Sequence, residues 1–162
     1  MADLEPDDPT LRLARQSLEE LLAKMKIAAS VQARWGAPDE AGEDPSLLLD
    51  VLGDDLGALI GRKGETLAAL QYIARLMISK QLNTSVNLMV DVEGYRQRRE
   101  QQLRRMAQRM AEQAVERQRT LTLEPMPANE RRIIHLELRD HPAVRTESVG
   151  EGDRRKVTII PK

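Results

Sequence analysis

The chain has 162 residues, 41% of them hydrophobic, which is enough for one ordinary domain or two very small ones around a packed core. Cysteine is absent, which excludes disulfides, thiolate metal sites and cysteine nucleophiles and is typical of a reducing compartment. The net charge of −1 conceals an uneven distribution: residues 1–55 carry five basic and 13 acidic groups, and residues 56–162 carry 20 basic and 13 acidic groups. Such asymmetry is typical of a surface that meets polyanions, although solubility alone can produce it.

The start of the chain gives no sign of a membrane span or a secretory signal. No run approaches the roughly 18 apolar residues of a span. The first sixteen residues are acidic, where a signal peptide would be basic and then apolar. We therefore expect a cytoplasmic protein that does not insert into a membrane, with a disordered N-terminus over residues 1–10.

The first half of the chain predicts a small α+β unit. In chain order the expected elements are a helix over 11–29, a strand over 31–35, an acidic loop over 36–45, a strand over 46–53, a short helix ending at residue 61, a longer helix over 65–81 and a strand over 86–92. Asp54 is a plausible N-cap for the short helix. The last strand is apolar throughout, which predicts a central or covered position in the sheet.

The second half begins with a long basic helix, predicted over residues 95–119. It has no Gly or Pro, and its eight Arg against three Glu give it a charge of +5. Its narrow apolar stripe consists of Leu103, Met106, Met110 and Ala114. The helix is either a solvated connection between two domains or an arginine face for a polyanion.

The remaining residues predict a second, smaller unit. A short strand and a proline turn, "LTLEPMP", precede a helix over 128–140. A hairpin follows, with strands over 144–149 and 156–160 around the turn "GEGD".

A GxxG sequence, "GRKG", stands at the start of the longer helix of the first half. With that helix beginning at Gly64, several backbone N–H groups point to one spot, and Arg62 and Lys63 add mobile cations that suit a phosphodiester. The missing Cβ atoms of Gly61 and Gly64 would let a sugar-phosphate chain approach the backbone. The apolar neighbours that would form a groove wall for bases are Leu59, Ile60 and Leu67. Taken alone, such a loop is more typical of a tight corner between two helices.

The helix over 128–140 carries a second basic face. Arg131 and His135 stand four residues apart and share one side of the helix, which Arg139 continues, and Arg132 lies beside them. Guanidinium and imidazole groups in this arrangement can hydrogen-bond phosphates. Taken alone, this arrangement is more typical of a surface helix whose histidine is hydrogen-bonded within the protein.

Catalysis is not indicated by any motif in the chain. Only two histidines are present, HExxH and GxSxG are absent, and "GRKGETLAAL" is not a Walker A loop because its Lys lies between the glycines. We therefore expect a protein that is not an enzyme and that uses no cofactor or metal.

Four ordered motifs closely resemble the bacterial Jag family, also called KhpB: "LIGRKGETLAALQYIARL", "VDVEGYRQRRE", "LEPMPANERRIIHLEL" and "TESVGEGDRRKVTIIP". Members of this family join a type II KH domain to an R-three-H domain, whose signature is Arg-x-x-x-His. The resemblance covers about residues 11–162. It implies an α+β fold in which a KH domain, a three-stranded sheet packed by helices, is joined by a long helix to a small α/β R-three-H domain.

The resemblance also implies a division and a function. The expected parts are a KH domain over 11–93, a basic linking helix over 94–119 and an R-three-H domain over 120–162. Family members are thought to bind single-stranded RNA and to act as RNA chaperones or post-transcriptional regulators. They have ties to cell elongation, division and the cell wall. They are also thought to form dimers, including with a small single-KH protein. Many also carry an additional N-terminal domain, which this sequence is interpreted as lacking.

Two further expectations depend on the motifs. Before the helix of the second unit, relatives often show a Tyr and an Asn or Ser that caps the helix. In this chain Asn129 is expected to provide the cap, and the aromatic residue that could stack on a base is missing. The alternative function is a protein interaction scaffold that pairs with a small KH protein, with incidental RNA contact, which the Met106/Met110 stripe and the acidic N-terminal segment favour.

Overall fold

A computed structural model describes residues 8–37 and 44–162. The chain divides into two compact units, with the boundary between Arg96 and Gln97. The expectations for residues 1–7 and 38–43, which cover most of the disordered terminus and of the acidic loop, lie outside the described residues. None of the helices in the described ranges is long and apolar enough to cross a membrane.

The first unit has the predicted order of helix, strand, strand, helix, GxxG turn, helix and strand. Its elements are α1 (Pro9–Lys24), β1 (Ser30–Trp35), β2 (Leu47–Leu52), α2 (Gly57–Ile60), α3 (Glu65–Leu82) and β3 (Leu88–Val92). A single 3-10 turn, Arg62–Gly64, lies between α2 and α3.

Helix α1 starts earlier and ends earlier than predicted. It begins at Pro9, and Asp8 caps it by accepting a hydrogen bond from the backbone N–H of Thr10 at 2.8 Å. Pro9 and Thr10 are therefore helical and do not belong to a disordered terminus. The helix ends at Lys24, five residues before the predicted end, because Lys26 adopts a left-handed backbone with φ +59°.

The sheet of the first unit has β2 at its centre. Strand β1 pairs with it antiparallel and β3 pairs with it parallel, so the connection through α2 and α3 is the crossover that parallel pairing requires. Alternate residues of β2, Leu47, Leu49 and Val51, are fully buried in one core with residues of α1 and α3. This crossover places the GxxG turn beyond the carboxyl end of β2.

Strand β3 lies at the edge of the sheet, and side chains cover its open backbone. The backbone N–H of Val90 donates to Oε1 of Gln71 at 3.0 Å, and Nε of Arg96 donates to the carbonyl oxygen of Val90 at 3.0 Å. Nη2 of Arg96 also donates to Oε1 of Gln71 at 2.6 Å. These contacts satisfy the outward backbone groups of Val90, in the middle of this apolar edge strand.

The N-cap predicted for α2 is wrong. Helix α2 begins at Gly57, and Leu56 occupies the N-cap position without a side-chain hydrogen bond. The reason is that Asp55 has a left-handed backbone with φ +54°, which turns the chain between Asp54 and the helix.

The second unit packs two helices on a three-stranded antiparallel sheet. Its elements are α4 (Tyr95–Arg117, which starts in the first unit), β4 (Leu121–Thr122), α5 (Ala128–Leu138), β5 (Val144–Val149) and β6 (Lys156–Pro161). The sheet order is β4-β6-β5. The predicted hairpin is confirmed, with the second strand one residue longer than expected.

Helix α4 is part of the core of the second unit rather than a solvated connection. Leu103 and three alanines of α4 are at most 1% exposed and pack with Ile134 of α5 and Ile159 of β6. Met106 and Met110 are partly buried against the same core. The methionine stripe is therefore not an open docking surface, because the second unit itself covers it.

Candidate nucleic-acid interface

The GxxG loop is held in an unusual backbone conformation. Gly61 has φ +71°, Lys63 has φ +55° and Gly64 has φ +80°, so three of its four residues lie at positive φ. Residues other than Gly rarely adopt this region, because their Cβ atom then approaches the backbone. Helix α3 begins directly after the loop at Glu65. The turn therefore places the N-terminus of α3 beside exposed Arg62 and Lys63, although the N–H of Glu65 itself donates to the carbonyl oxygen of Arg62.

Each glycine of the loop touches a hydroxyl-bearing side chain. A Cβ added to Gly61 would lie 2.2 Å from Oγ1 of Thr66, and one added to Gly64 would lie 2.9 Å from Cε1 of Tyr95. The space left by the missing Cβ atoms is therefore occupied by the protein itself. The sequence interpretation that this space admits a sugar-phosphate chain needs correction, since both glycines are required by the loop's own packing.

The proposed apolar groove wall also needs correction. Leu59 and Leu67 are 1% and 2% exposed and belong to the core of the first unit, so neither offers surface to a base. Ile60 is partly exposed and packs against that core. Of the three candidates, Ile60 alone retains side-chain surface beside the loop.

Arg131 and His135 are brought together by α5 and share a partner on β5. Nε of Arg131 donates to the carbonyl oxygen of Met126 at 3.1 Å, and Nη1 donates to Oγ of Ser148 at 3.4 Å. Nε2 of His135 lies 2.7 Å from the same Oγ, and Nδ1 lies 2.6 Å from Oγ1 of Thr146. The Ser148 hydroxyl therefore links the two residues of the Arg-x-x-x-His signature.

The electrostatic environment of His135 favours its neutral form. Partial burial lowers the pKa of the imidazole below 6.5, and the charges of Arg131 and Arg155 lower it further. In the neutral ring one nitrogen donates a hydrogen bond and the other accepts one, and a hydroxyl can take either part. A polyanion would offset the two guanidinium charges and favour the protonated ring.

Sequence reasoning missed Thr146, Ser148 and Arg155. Residues 146 and 148 stand two apart on one strand, so their hydroxyls face the same side of the sheet. This spacing is common in surface strands, and the motif "TESVGEGDRRKVTIIP", which contains all three residues, did not mark them as site residues. Arg155 follows the hairpin turn, where its Nη1 donates to the carbonyl oxygen of Gly150 at 2.8 Å.

Arg132 and Arg139 lie outside this hydrogen-bonded group. Both are exposed, and Nε of Arg139 lies 3.8 Å from Oδ2 of Asp140. Among the contacts of the described residues, neither side chain bonds to Thr146 or Ser148. They add positive charge near the pair without being fixed by it.

The start of α5 is fixed by an ion pair and not by Asn129. Pro127 occupies the N-cap position, so the expectation of an Asn129 cap is wrong. Glu130, in the first turn, is 6% exposed and accepts hydrogen bonds from Nε and Nη2 of Arg99 at 2.9 Å and 3.1 Å. The carboxylate also suits the positive end of the helix dipole.

The arginines of α4 divide into two groups. Arg96 covers β3, Arg99 binds Glu130, and Arg104 lies 2.6 Å from a carboxylate oxygen of Glu100 and 3.6 Å from one of Glu137. Arg105 and Arg109, four residues apart, are exposed on one side of the helix. Part of the basic composition is thus used within the fold, and part is presented to solvent.

Two family models match the chain in the order of its two units. The model described as "KhpA/KhpB, KH domain" matches residues 14–90, which include the GxxG loop. The R-three-H domain model matches residues 101–161, which include Arg131 and His135.

Relatives named RNA-binding protein KhpB match most of the chain. The protein of Clostridium symbiosum is 34% identical, over 92% of this chain and 65% of its own length. The protein of Bacillus subtilis (strain 168) is 31% identical, over 86% of this chain and 69% of its own length. The protein of Lactiplantibacillus plantarum is 37% identical over 64% of this chain, and the match spans only 32% of that relative. With both domain models in this order and a relative above 30% identity matched over two thirds of its length, the chain belongs to the KhpB family.

Proposed function

We propose that the chain binds the backbone of single-stranded RNA at the GxxG loop and at the Arg131/His135 pair, and performs no catalysis. The observation that carries the proposal is the loop geometry, which sets Arg62 and Lys63 at the N-terminus of α3 within a KH-family unit. Backbone N–H groups and two cations at one place suit a phosphodiester. The relatives' name supports RNA binding, and we further propose that the chain acts as an RNA chaperone or post-transcriptional regulator in the cytoplasm.

Contact with phosphate would dominate the affinity at the first site. Gly61 and Gly64 hold the loop, Arg62 and Lys63 supply charge, and Ile60 is the apolar side chain with surface beside them. One partly exposed isoleucine and the partly buried ring of Tyr95, which lies against Gly64, give little basis for reading bases. We therefore propose modest sequence preference and strong salt dependence.

The second site would hold phosphate through Arg131 and His135, with Arg132 and Arg139 adding charge at its margin. The hydroxyls of Thr146 and Ser148 orient the imidazole through both of its ring nitrogens, so a phosphate that binds His135 would replace one of these two contacts. Arg105 and Arg109 of α4 would add a third basic surface in the same unit.

The test is a salt series of RNA binding with a variant that removes charge and keeps the loop. Lys63→Gly suits this purpose because residue 63 already has φ +55°, a backbone that Gly adopts freely. Combined with Arg62→Ala, it should weaken binding of a short oligouridylate and reduce the slope of log K against log salt by about 1.4, or roughly 0.7 per lost phosphate contact.

Lys26→Gly is the matched control. Lys26 is also an exposed lysine with a positive φ, +59°, in the same unit. Its replacement removes the same single charge as Lys63→Gly from the same kind of backbone and should leave the salt slope unchanged. Equal effects of Lys26→Gly and Lys63→Gly would show that net charge, and not the loop, governs binding.

Pairing with another KH protein is the second candidate function, and one surface favours it. Ile73 and Leu76, adjacent on α3, are 46% and 53% exposed. The family model that matches this unit describes KhpA and KhpB together, so a single-KH protein is the partner we propose, as a heterodimer or through self-association. Light scattering of the chain with and without such a protein tests this. Ile73→Asp should abolish a complex that Ser85→Asp, on the exposed loop after α3, preserves.

A further inference from the structure

Tyr95, the first residue of α4, lies against the GxxG loop. Its atoms Cε1, Oη and Cζ lie 2.9, 3.4 and 3.5 Å from the position of a Cβ built on Gly64. The ring is partly buried and packs against the core of the first unit. It therefore fills the space beside Gly64 from the side of the core.

The position of Tyr95 is itself fixed by its neighbour. The backbone N–H of Arg96 donates to Oδ1 of Asp91 at 3.2 Å, and Nε of Arg96 donates to the carbonyl oxygen of Val90 at 3.0 Å. Both partners belong to β3. These hydrogen bonds hold the start of α4 against the sheet. They therefore fix the backbone of Tyr95, whose ring contacts the loop.

The loop needs such support. Gly64 is the N-cap residue of α3, at φ +80° and ψ 14°, and no side chain caps the helix there. Lys63, directly before it, is also left-handed. Gly64 adopts this region freely, but a residue with a Cβ atom, such as Lys63, persists there only where the surroundings hold it.

We propose that Tyr95 is a positioning residue for the nucleic-acid site of the GxxG loop. Its ring holds Gly64, and with it the N-terminus of α3, in the conformation that receives a phosphate. The inference rests on the proposed function of the loop. The proposal assigns this role to the aromatic ring, whose Cε1 atom lies nearest to the Cβ position of Gly64.

Loss of the ring reduces affinity because fewer molecules then hold the loop in the conformation that binds phosphate. Apparent affinity falls in proportion to the fraction of molecules in the binding conformation, so a loop that is competent about one tenth of the time binds about tenfold more weakly. The charges of Arg62 and Lys63 remain in place. The slope of log K against log salt is therefore unchanged, which separates lost positioning from a lost phosphate contact.

The experiment measures binding of a fluorescent oligouridylate to the full chain across a salt series. Tyr95→Leu should weaken binding about tenfold with the same salt slope, and Tyr95→Phe should bind within about twofold of the parent. Tyr72→Leu removes the chain's other tyrosine, which is 56% exposed on α3, and should have no effect. Fluorescence of Trp35, the only tryptophan, confirms that the first unit is folded in each sample.

Two results would overturn the proposal: parent-like binding by Tyr95→Leu, or equally weak binding by Tyr95→Phe and Tyr95→Leu, which would assign the role to the hydroxyl. Tyr95→Met replaces the leucine variant if that one does not fold, because its flexible chain fills volume without a fixed contact. If Arg62→Ala/Lys63→Gly leaves binding intact, the proposed function fails. If that variant binds weakly and Tyr95→Leu and Tyr95→Met bind normally, only the role of Tyr95 is refuted.

Discussion

The guanidinium of Arg99 holds the carboxylate of Glu130 through two hydrogen bonds of 2.9 and 3.1 Å. The side chains are 21% and 8% exposed, so the pair is largely removed from water. It ties the first turn of α5 to α4 within the second unit. Since Arg131 and His135 lie on α5, this pair sets the position of the second candidate site.

Replacing Arg99 with methionine should destabilise the second unit by about 3 kcal/mol, because the carboxylate of Glu130 stays buried without its partner. The double variant Arg99→Met/Glu130→Leu should recover most of that loss, since apolar replacements of buried pairs are often neutral or better. Urea unfolding followed by the NMR signals of His135 and His141, both in the second unit, measures this.

Arg105→Met is the control for that comparison. Arg105 is exposed on the same helix, and its replacement should change the free energy of unfolding by less than about 0.5 kcal/mol. A double variant as unstable as Arg99→Met alone would contradict the assignment of the loss to a stranded charge.

The lowered pKa of His135 predicts a pH dependence with a defined sign. The unfolded chain takes up a proton near pH 6.5 and the native chain at a lower pH, so the native state binds fewer protons in between. Its stability should fall as pH drops from 6.5 through the native pKa and then level off. His135→Gln should remove this part of the dependence, and His141→Gln should retain it.

RNA should reverse the shift in that pKa. A phosphate near Arg131 and Arg155 offsets the charges that oppose protonation of His135, so its pKa should rise in the complex and binding should take up a proton. An NMR titration of the His135 ring with and without a short oligouridylate measures both values. An unchanged or lower pKa in the complex would place the phosphate elsewhere.

Local patterns predicted the elements, and long-range pairs account for most of what was missed. The hairpin strands and the GxxG turn before α3 depend on neighbouring residues, which the sequence displays directly. The contacts of His135 with Ser148 and of Arg99 with Glu130 join residues 13 and 31 positions apart, and no local period reveals them. The prediction of an apolar groove was wrong for a related reason. The helical spacing of Leu59 and Leu67 does not distinguish a side chain buried in the core from one that lines a groove.

The glycines of the loop should differ in their sensitivity to alanine. Gly61→Ala adds a clash with Thr66 to the cost of a backbone at φ +71° and ψ −174°, a region essentially restricted to glycine. Gly152→Ala tests a positive φ without a clash, because residue 152 has φ +54° and open space around its Cβ position. Gly57→Ala, with a helical backbone and open space, should be neutral or stabilise by up to about 1 kcal/mol.

The order of destabilisation is therefore Gly61→Ala, then Gly152→Ala, then Gly57→Ala. Chemical unfolding measures each variant, and Trp35 fluorescence reports on the first unit, which holds two of the three positions. A Gly61→Ala variant no less stable than Gly152→Ala would contradict both the clash with Thr66 and the glycine requirement of the backbone at residue 61. Glycine variants are for the same reason poor probes of RNA binding, since they disturb the loop itself.

The exposed arginines of α4 should contribute to RNA affinity, and Arg104 of the same helix should contribute less. Arg105→Ala/Arg109→Ala removes two cations from one side of α4 and should lower the slope of log K against log salt by about 1.4. Arg104 already lies beside the carboxylates of Glu100 and Glu137, so Arg104→Ala should change the slope by less than about 0.7. Fluorescence anisotropy with a short oligouridylate at several salt concentrations measures both. Equal slopes for Arg105→Ala/Arg109→Ala and the parent would mean that this face of α4 is solvated and takes no part in binding.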